Sequence, residues 1–332
     1  MTAEVALHGD PAATSWPHRL VCVSLNASID KIASVDRLRP GEIHRPALLS
    51  VVPGGKALNV ARAAARLGMP VRTLVVLGGH AGDWIEAALQ ARAIDARPVR
   101  LVGETRTCLS VLDEKTGLLT EFYEPGLTLD ADGWASVATA LATELADDPS
   151  GSLVVLAGSL PPGAPVDGYA RLTTESARVG ARTVVDADRG ALDEALSAGP
   201  WLVKVNAREA AAAAGMTGTD DTVVLAAARA LRARTAGAVL VTRGRDGAIV
   251  IDDVGGAWRV GAPPEFGRYP VGSGDSLLAG LSVALGSGHA LPEAARRGGA
   301  VAAANALVPG QGEFNPVDAD RMLPAITLER IG

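Results

Sequence analysis

Cysteine, aromatic side chains and long apolar runs are all scarce in this 332-residue chain. The two cysteines, Cys22 and Cys108, lie far apart and without metal-type spacing. That excludes a disulfide framework and fits a reducing, cytoplasmic compartment. Aromatic residues make up only 3% of the chain, so the core has to be built from Val, Leu, Ile and Ala. No uncharged stretch offers the roughly 20 apolar residues that span a bilayer; the longest, such as 276–292, are broken by Gly, Ser and Pro. A basic excess is missing as well: the formal charge is −6, which argues against nucleic acid as a partner. Residues 1–18 have no apolar centre of a signal peptide and read as a loose tail. What is present is a globular composition, 48% hydrophobic and 20% charged, on a length suited to one large α/β unit with a small appendage.

From about residue 150 onward, β-branched runs alternate with helix-like segments. Leu153–Ala157, Thr183–Asp186, Trp201–Val205, Ala238–Thr242 and Ala248–Ile251 read as strands, with helices expected at 166–180, 190–198, 207–214 and 221–235. Residues 20–25 and 71–77 add two apolar strands around the helical run Leu58–Leu67. The alternation predicts βαβ units and a mainly parallel sheet covered on both faces. Residues 28–52 and 97–125 break the rhythm and are expected to form antiparallel strands, a lid over one edge of the main sheet.

The most informative segment is Tyr269-Pro270-Val271-Gly272-Ser273-Gly274-Asp275, which opens into an apolar run reading as a buried helix. Small residues let the backbone turn its N–H groups toward one point, at the positive end of that helix. Asp275 adds a proton acceptor beside this anion cradle, the combination that phosphoryl transfer to an alcohol requires. A dinucleotide fingerprint does not fit, because Leu277 stands where the third glycine would be and no strand follows at the required distance.

Other segments carry two readings each. Gly54-Gly55-Lys56 before a helix allows close ligand approach with a positive charge, or is a plain turn with a solvated lysine; it is not a Walker A loop. Asp30, just after the first strand, could hold sugar hydroxyls or could cap a helix or turn. Arg106, in Gly103-Glu104-Thr105-Arg106-Thr107, offers a fork for a phosphate monoester or is simply exposed. Asn206 and Glu209 have the spacing of a helix capping box, or could position the water shell of Mg²⁺. Thr242 to Gly247 reads as a turn between two strands.

Together these pieces resemble the PfkB family of carbohydrate kinases. Gly54, Gly55, Asn59, Ala61, Gly68 and Gly78 match the family's N-terminal signature, and Pro270, Gly272, Ser273, Gly274, Asp275, Ala279, Gly280 and Leu281 match its C-terminal one. The resemblance runs over roughly residues 20–312. Within the family, the chain looks most like the 1-phosphofructokinase and tagatose-6-phosphate kinase branch. The features are Lys56 after the paired glycines, the 103–107 segment, Thr120-Glu121 with Glu124-Pro125-Gly126, Gly158-Ser159-Leu160-Pro161-Pro162-Gly163, and the spelling of the 270–275 loop.

The resemblance implies a ribokinase-like three-layer α/β/α sandwich over 19–332 with a small β-strand lid. It implies ATP-dependent phosphorylation of a hexose monophosphate to a bisphosphate, with 6-phosphofructokinase or another sugar kinase as the alternative and a non-catalytic sugar-phosphate sensor as a reading of a different class. By the same resemblance Asp275 is the general base, with Gly272, Ser273 and Gly274 stabilising the transferring group. Asp30, Gly54, Gly55 and Asn59 are expected at the sugar, and Lys56, Arg106 and Ser159 at its phosphate. Lys204, Asn206, Thr242, Gly244 and Gly247 are expected at the nucleotide phosphates, Asn305 beside the adenine, and Glu209 at Mg²⁺ through water. The helix dipole is expected to keep Asp275 ionised, a weak base. A homodimer through the lid strands is expected too. Three departures stand out: Asn26-Ala27-Ser28 replaces Asn-Pro-Ala, Val205 follows Lys204 in place of proline, and Tyr269 stands where relatives ligate a monovalent cation, which puts potassium activation in doubt.

Overall fold

Two faces of one sheet account for most of the buried apolar surface. The computed structural model describes residues 17–187, 189–235, 237–265 and 267–332, so most of the expected tail, residues 1–16, lies outside the described residues. In chain order the strands are β1 (Arg19–Ser24), β2 (Ser28–Val35), β3 (Ala47–Gly54), β4 (Val71–Leu77), β5 (Asp95–Arg100), β6 (Arg106–Asp113), β7 (Leu119–Tyr123), β8 (Ser152–Ala157), β9 (Arg182–Asp186), β10 (Leu202–Asn206), β11 (Ala238–Thr242), β12 (Ala248–Ile251), β13 (Ala257–Val260) and β14 (Leu328–Arg330). The helices are α1 (Lys56–Arg66), α2 (Gly79–Gln90), α3 (Ala131–Leu145), α4 (Gly168–Arg178), α5 (Arg189–Ser197), α6 (Ala207–Ala213), α7 (Asp221–Arg232), α8 (Ser273–Gly286), α9 (Leu291–Asn305) and α10 (Pro316–Met322).

Among the described residues, ten strands form the main sheet in the order β14-β13-β12-β11-β10-β9-β8-β1-β4-β5. The run from β11 to β5 is parallel, and β12, β13 and β14 continue it antiparallel at one edge. Successive strand residues go to opposite sides. Leu20, Cys22, Leu153, Val155 and Leu240 pack with α1, α8 and α9. Val21, Val23, Val154, Leu156 and Val239 pack with α3, α4 and α7. This gives the expected three-layer α/β/α arrangement, and near-continuous Val and Leu runs follow from burial on both faces.

The second sheet has the order β3-β2-β6-β7. Two expectations change here. Residues 97–100 belong to β5, which pairs parallel with β4 at the edge of the main sheet. The sequence there, Asp-Ala-Arg-Pro-Val-Arg, is polar because an edge strand exposes one face and tolerates proline. The second sheet is also mixed, not antiparallel throughout: β2 and β6 pair in parallel, because they come from separate excursions that leave the main sheet in the same direction. The hairpins β2–β3 and β6–β7 are antiparallel.

No helix among the described residues is long and apolar enough to cross a membrane.

Candidate active site

A cavity of about 560 Å³ lies where the second sheet faces the carboxyl ends of β1, β8, β10 and β11. Open α/β sheets collect ligands at this end, because the strands stop there and the following loops diverge. Of the residues the sequence singled out, Asp30, Gly55, Lys56, Asn59, Arg106, Ser159, Lys204, Asn206, Glu209, Thr242, Gly272, Gly274 and Asp275 line it.

Asp275 sits in the first turn of α8, buried to 6% exposure. Gly272 is the residue before that helix, in the left-handed region at φ 79°. A side chain there would be strained and would also meet Gln311 at 2.6 Å. Lys204 reaches the same point from β10: a Cβ on Gly274 would stand 2.8 Å from its Nζ. Helix start, ammonium group and carboxylate therefore converge. Asp275 stays ionised at neutral pH, as expected, but it is not the weak base that the helix dipole alone would make it. Burial is the dominant influence and pushes the carboxyl up to about 6; Asp186 pushes the same way, while Lys204, Lys56 and the hydrogen bond from Asn59 oppose it. That bond runs from Asn59 Nδ2 to Asp275 Oδ2 at 2.8 Å.

Asp186, at the end of β9, escaped the sequence reading. It is fully buried and bridges two lysines: Lys56 Nζ donates to Oδ1 at 2.8 Å, and Lys204 Nζ donates to Oδ2. Burial alone would raise its carboxyl, but the charges of Lys204 and Lys56 outweigh this and hold it below the usual range. Lys56 remains 36% exposed on its side chain, so its ammonium is tethered yet accessible from the cavity.

Asp30 lies inside β2 and caps no helix. Ser28 Oγ donates to its Oδ1 at 2.6 Å. Burial raises its carboxyl, against Ser28, Arg62 and Arg106. A Cβ on Gly54 would fall inside the Asp30 carboxylate, so Gly54 makes room for Asp30 and does not itself line the cavity. Opposite Asp30, alternate residues of β6 (Arg106, Cys108 and Ser110) face the cavity. Arg106 is held by main-chain acceptors, Asn26 O at 2.9 Å and Glu124 O at 3.4 Å. No carboxylate among the described residues forms an ion pair with it, which leaves its charge open to an anion. Ser159 Oγ accepts from Asn26 Nδ2 at 3.0 Å.

Asn206 and Glu209 form the capping box and line the cavity at once. Asn206 Oδ1 accepts from the Arg208 and Glu209 N–H groups at 3.0 Å each, and Glu209 Oε2 accepts from Asn206 N at 2.8 Å. One Glu209 oxygen stays outside the cap.

Asn305, Ser273, Gly244 and Gly247 do not line the cavity. Asn305 is fully buried, and its carboxamide is used up. Nδ2 donates to Val271 O at 3.0 Å and Ser273 Oγ at 3.3 Å; Oδ1 accepts from Gly312 N at 2.7 Å and Ser276 Oγ at 3.0 Å. The carboxamide thus clamps the 271–276 turn and keeps no free donor or acceptor for an adenine. Gly247 is required by packing against Val260 O. Gly244 begins the short 3₁₀ turn after β11.

A family model described as pfkB family carbohydrate kinase matches residues 18–318. A 1-phosphofructokinase from Xanthomonas campestris pv. campestris is 36% identical over 271 residues, 80% of this chain and 83% of that protein. An ATP-dependent 6-phosphofructokinase isozyme 2 from Mycobacterium tuberculosis is 31% identical over 316 residues, 94% of this chain and 91% of that protein. Among solved structures, phosphofructokinase-2 from Escherichia coli in complex with substrates and products superposes with a TM-score of 0.84 at 27% identity, covering 92% of this chain and 98% of that one.

Proposed function

The chain belongs to the pfkB family of carbohydrate kinases, and from that premise we propose that it transfers the γ-phosphate of ATP to a hydroxyl of a hexose monophosphate, giving a bisphosphate. The observation that carries this reading is the meeting of a buried carboxylate with a helix start in a cavity that holds cations at two places. Lys204 beside Gly274 suits the phosphates of ATP. Lys56, which shares the Asp186 carboxylate with Lys204, and Arg106, on β6, suit the phosphate already on the sugar.

Asp275 takes the proton of the attacking hydroxyl. Its Oδ2 accepts from Asn59, which leaves Oδ1 as the less engaged oxygen for the proton. A carboxyl raised to about 6 is ionised near neutrality and is a better base than an ordinary aspartate. The N–H groups at the start of α8 and the Lys204 ammonium stabilise charge on the transferring group. Asp30 orients sugar hydroxyls.

Among the described residues no three acidic, histidine or cysteine side chains cluster to hold a bare metal ion. Magnesium would therefore arrive hydrated on ATP, with Glu209 and Asn206 holding its waters; it would neutralise phosphate charge. The phenol of Tyr269 offers no carboxylate to a monovalent cation, which argues against potassium activation.

Fructose 1-phosphate is the first substrate to test, given the 36%-identical relative, followed by fructose 6-phosphate and tagatose 6-phosphate. A coupled ADP-release assay across hexose monophosphates, free hexoses and nucleosides decides the matter. Preferred turnover of a hexose monophosphate, abolished in Asp275→Asn with sugar-phosphate binding retained, supports the reading. Equal or better turnover of a free sugar or nucleoside refutes it, and binding without turnover favours the sensor.

We further propose a homodimer through the second sheet, where Leu48 and Phe122 are 60% and 54% exposed. An ATP-consuming enzyme with two free, buried thiols fits a cytoplasmic setting.

A further inference from the structure

Arg62 lies one turn beyond Asn59 on α1, and its side chain is 1% exposed. Its Nη2 donates to Asn59 Oδ1 at 2.8 Å, and its Nη1 donates to Gln311 O and to Glu313 Oε1, the latter at 2.9 Å. Burial lowers its pKa to about 10, with Glu313 and Asp30 opposing and Arg92 assisting, so it stays charged at neutral pH. Glu313 is shared with Arg66 at 2.6 Å and Arg92 at 3.5 Å.

A guanidinium has only donors and an ionised carboxylate only acceptors. Asn59, wedged between Arg62 and Asp275, can then adopt one amide orientation: oxygen toward Arg62, nitrogen toward Asp275. Without Arg62 only the ionised Asp275 carboxylate selects that orientation; once Asp275 is protonated the amide can turn and accept from it, which favours the protonated form. We propose that Arg62 is a positioning residue for phosphoryl transfer, locking the Asn59 carboxamide so that it donates to Asp275 and leaves Oδ1 of that carboxylate as the proton acceptor. Through Gln311 and Glu313 the lock also ties the base to the segment that abuts Gly272, so helix start and base keep one register.

This inference rests on Asp275 being the base. The groups that face that carboxylate are Lys204 from β10, Asp186 from β9, and Lys56 and Asn59 from α1; Arg62→Met leaves all four in place. An amide that can also accept from the protonated acid no longer favours the ionised form, so the acidic limb of kcat should move up by about one pH unit. Turnover at pH 6 then falls about fivefold from this cause, and the loss vanishes above about pH 8. KM for ATP should hardly change.

The test measures kcat against pH for wild type, Arg62→Met, Arg62→Lys, Asn59→Ala and the Arg62→Met/Asn59→Ala double variant, with unfolding followed alongside. The proposal expects Arg62→Met to shift the limb, Arg62→Lys to restore part of it, and Arg62→Met to add no further shift in the Asn59→Ala background. An unshifted limb in soluble Arg62→Met overturns it, as does a full additional shift in the double variant. If Arg62→Met does not fold, the Arg62→Lys profile decides: a wild-type kcat and limb at a site where Lys cannot reproduce the fork would overturn the lock. Substantial turnover of Asp275→Asn would instead sink the base assignment, so the two failures are told apart.

Discussion

Replacing Asp275 by Asn should stabilise the fold while abolishing turnover. Burial raises the Asp275 carboxyl from 3.8 to about 6. The folded chain therefore holds this proton more tightly than the unfolded chain does. Between about pH 4 and 6 the native state binds the extra proton, and stability falls as pH rises through that window. At about 1.4 kcal/mol per unit, a displacement of roughly two units costs about 3 kcal/mol once both states are ionised, at pH 7 and above. The carboxamide has nearly the same volume and keeps an acceptor for Asn59 Nδ2, so it removes the charge without opening a cavity. The gain should thus be about 3 kcal/mol at pH 7 and under about 1 kcal/mol at pH 4, where the wild-type group is already protonated. Urea unfolding of both proteins from pH 4 to 8, without ligands, measures this as the difference in unfolding free energy. A difference that does not grow with pH, or a variant less stable than wild type at pH 7, would refute the argument that Asp275 is held against a desolvation penalty. Sites that work by strain or desolvation are expected to carry such a stability deficit.

Three further outcomes follow from the same geometry. Lys56→Met with Arg106→Met should raise KM for the phosphorylated sugar by roughly 100-fold to 10,000-fold and erase the preference over the free sugar, because each cation supplies about 1.5–3 kcal/mol of charge-assisted bonding; steady-state kinetics on matched sugar pairs would show it. Phe122→Asp should turn a dimer into monomers in sedimentation velocity, with no loss of fold by circular dichroism. Asp186→Asn should destabilise by about 3 kcal/mol at pH 7, since it leaves two lysines without their buried partner. Because the Asp186 carboxyl is held low, that contribution exists above the unfolded carboxylate range and is lost as pH falls through the native value, which pH-dependent urea melts can follow.

The parts of the site legible in the sequence are those built from local geometry. Gly272 to Asp275 is a turn into a helix, and both its anion-binding character and its acid can be read within seven residues. Asn206 and Glu209 lie three residues apart and form the box their spacing predicts. Asp186 could not be found in this way: its partner Lys56 is 130 residues distant, and nothing in Val-Val-Asp marks the strand end as special. Arg62 reads as an ordinary polar position on an alanine-rich helix, and its burial is set by Gln311 and Glu313, which arrive from the far end of the chain. Asn305 shows the reverse case: the resemblance places it beside the adenine, while its carboxamide is saturated by contacts with the 271–276 turn and Gly312 that no local pattern announces. The second sheet was recognisable from its lack of helical periodicity. Its border with β5 was not, since an exposed edge strand of the main sheet and a strand of a small two-sided sheet carry the same mixed composition.

The two buried aspartates explain each other. Lys56 and Lys204 both lie close enough to lower the Asp275 carboxyl, and both do so. Yet their hydrogen bonds go to Asp186. A carboxylate with two ammonium groups in contact is held low, and its own negative charge then works against ionisation of its neighbour. Asp186 thus absorbs most of the positive charge that would otherwise make Asp275 a strong acid, while leaving both lysines at the cavity. When phosphate groups enter, they meet ammonium groups already aligned rather than flexible chains, which lowers the ordering cost of binding. The base is kept poised near 6 by the same pairing that orders the phosphate-binding cations.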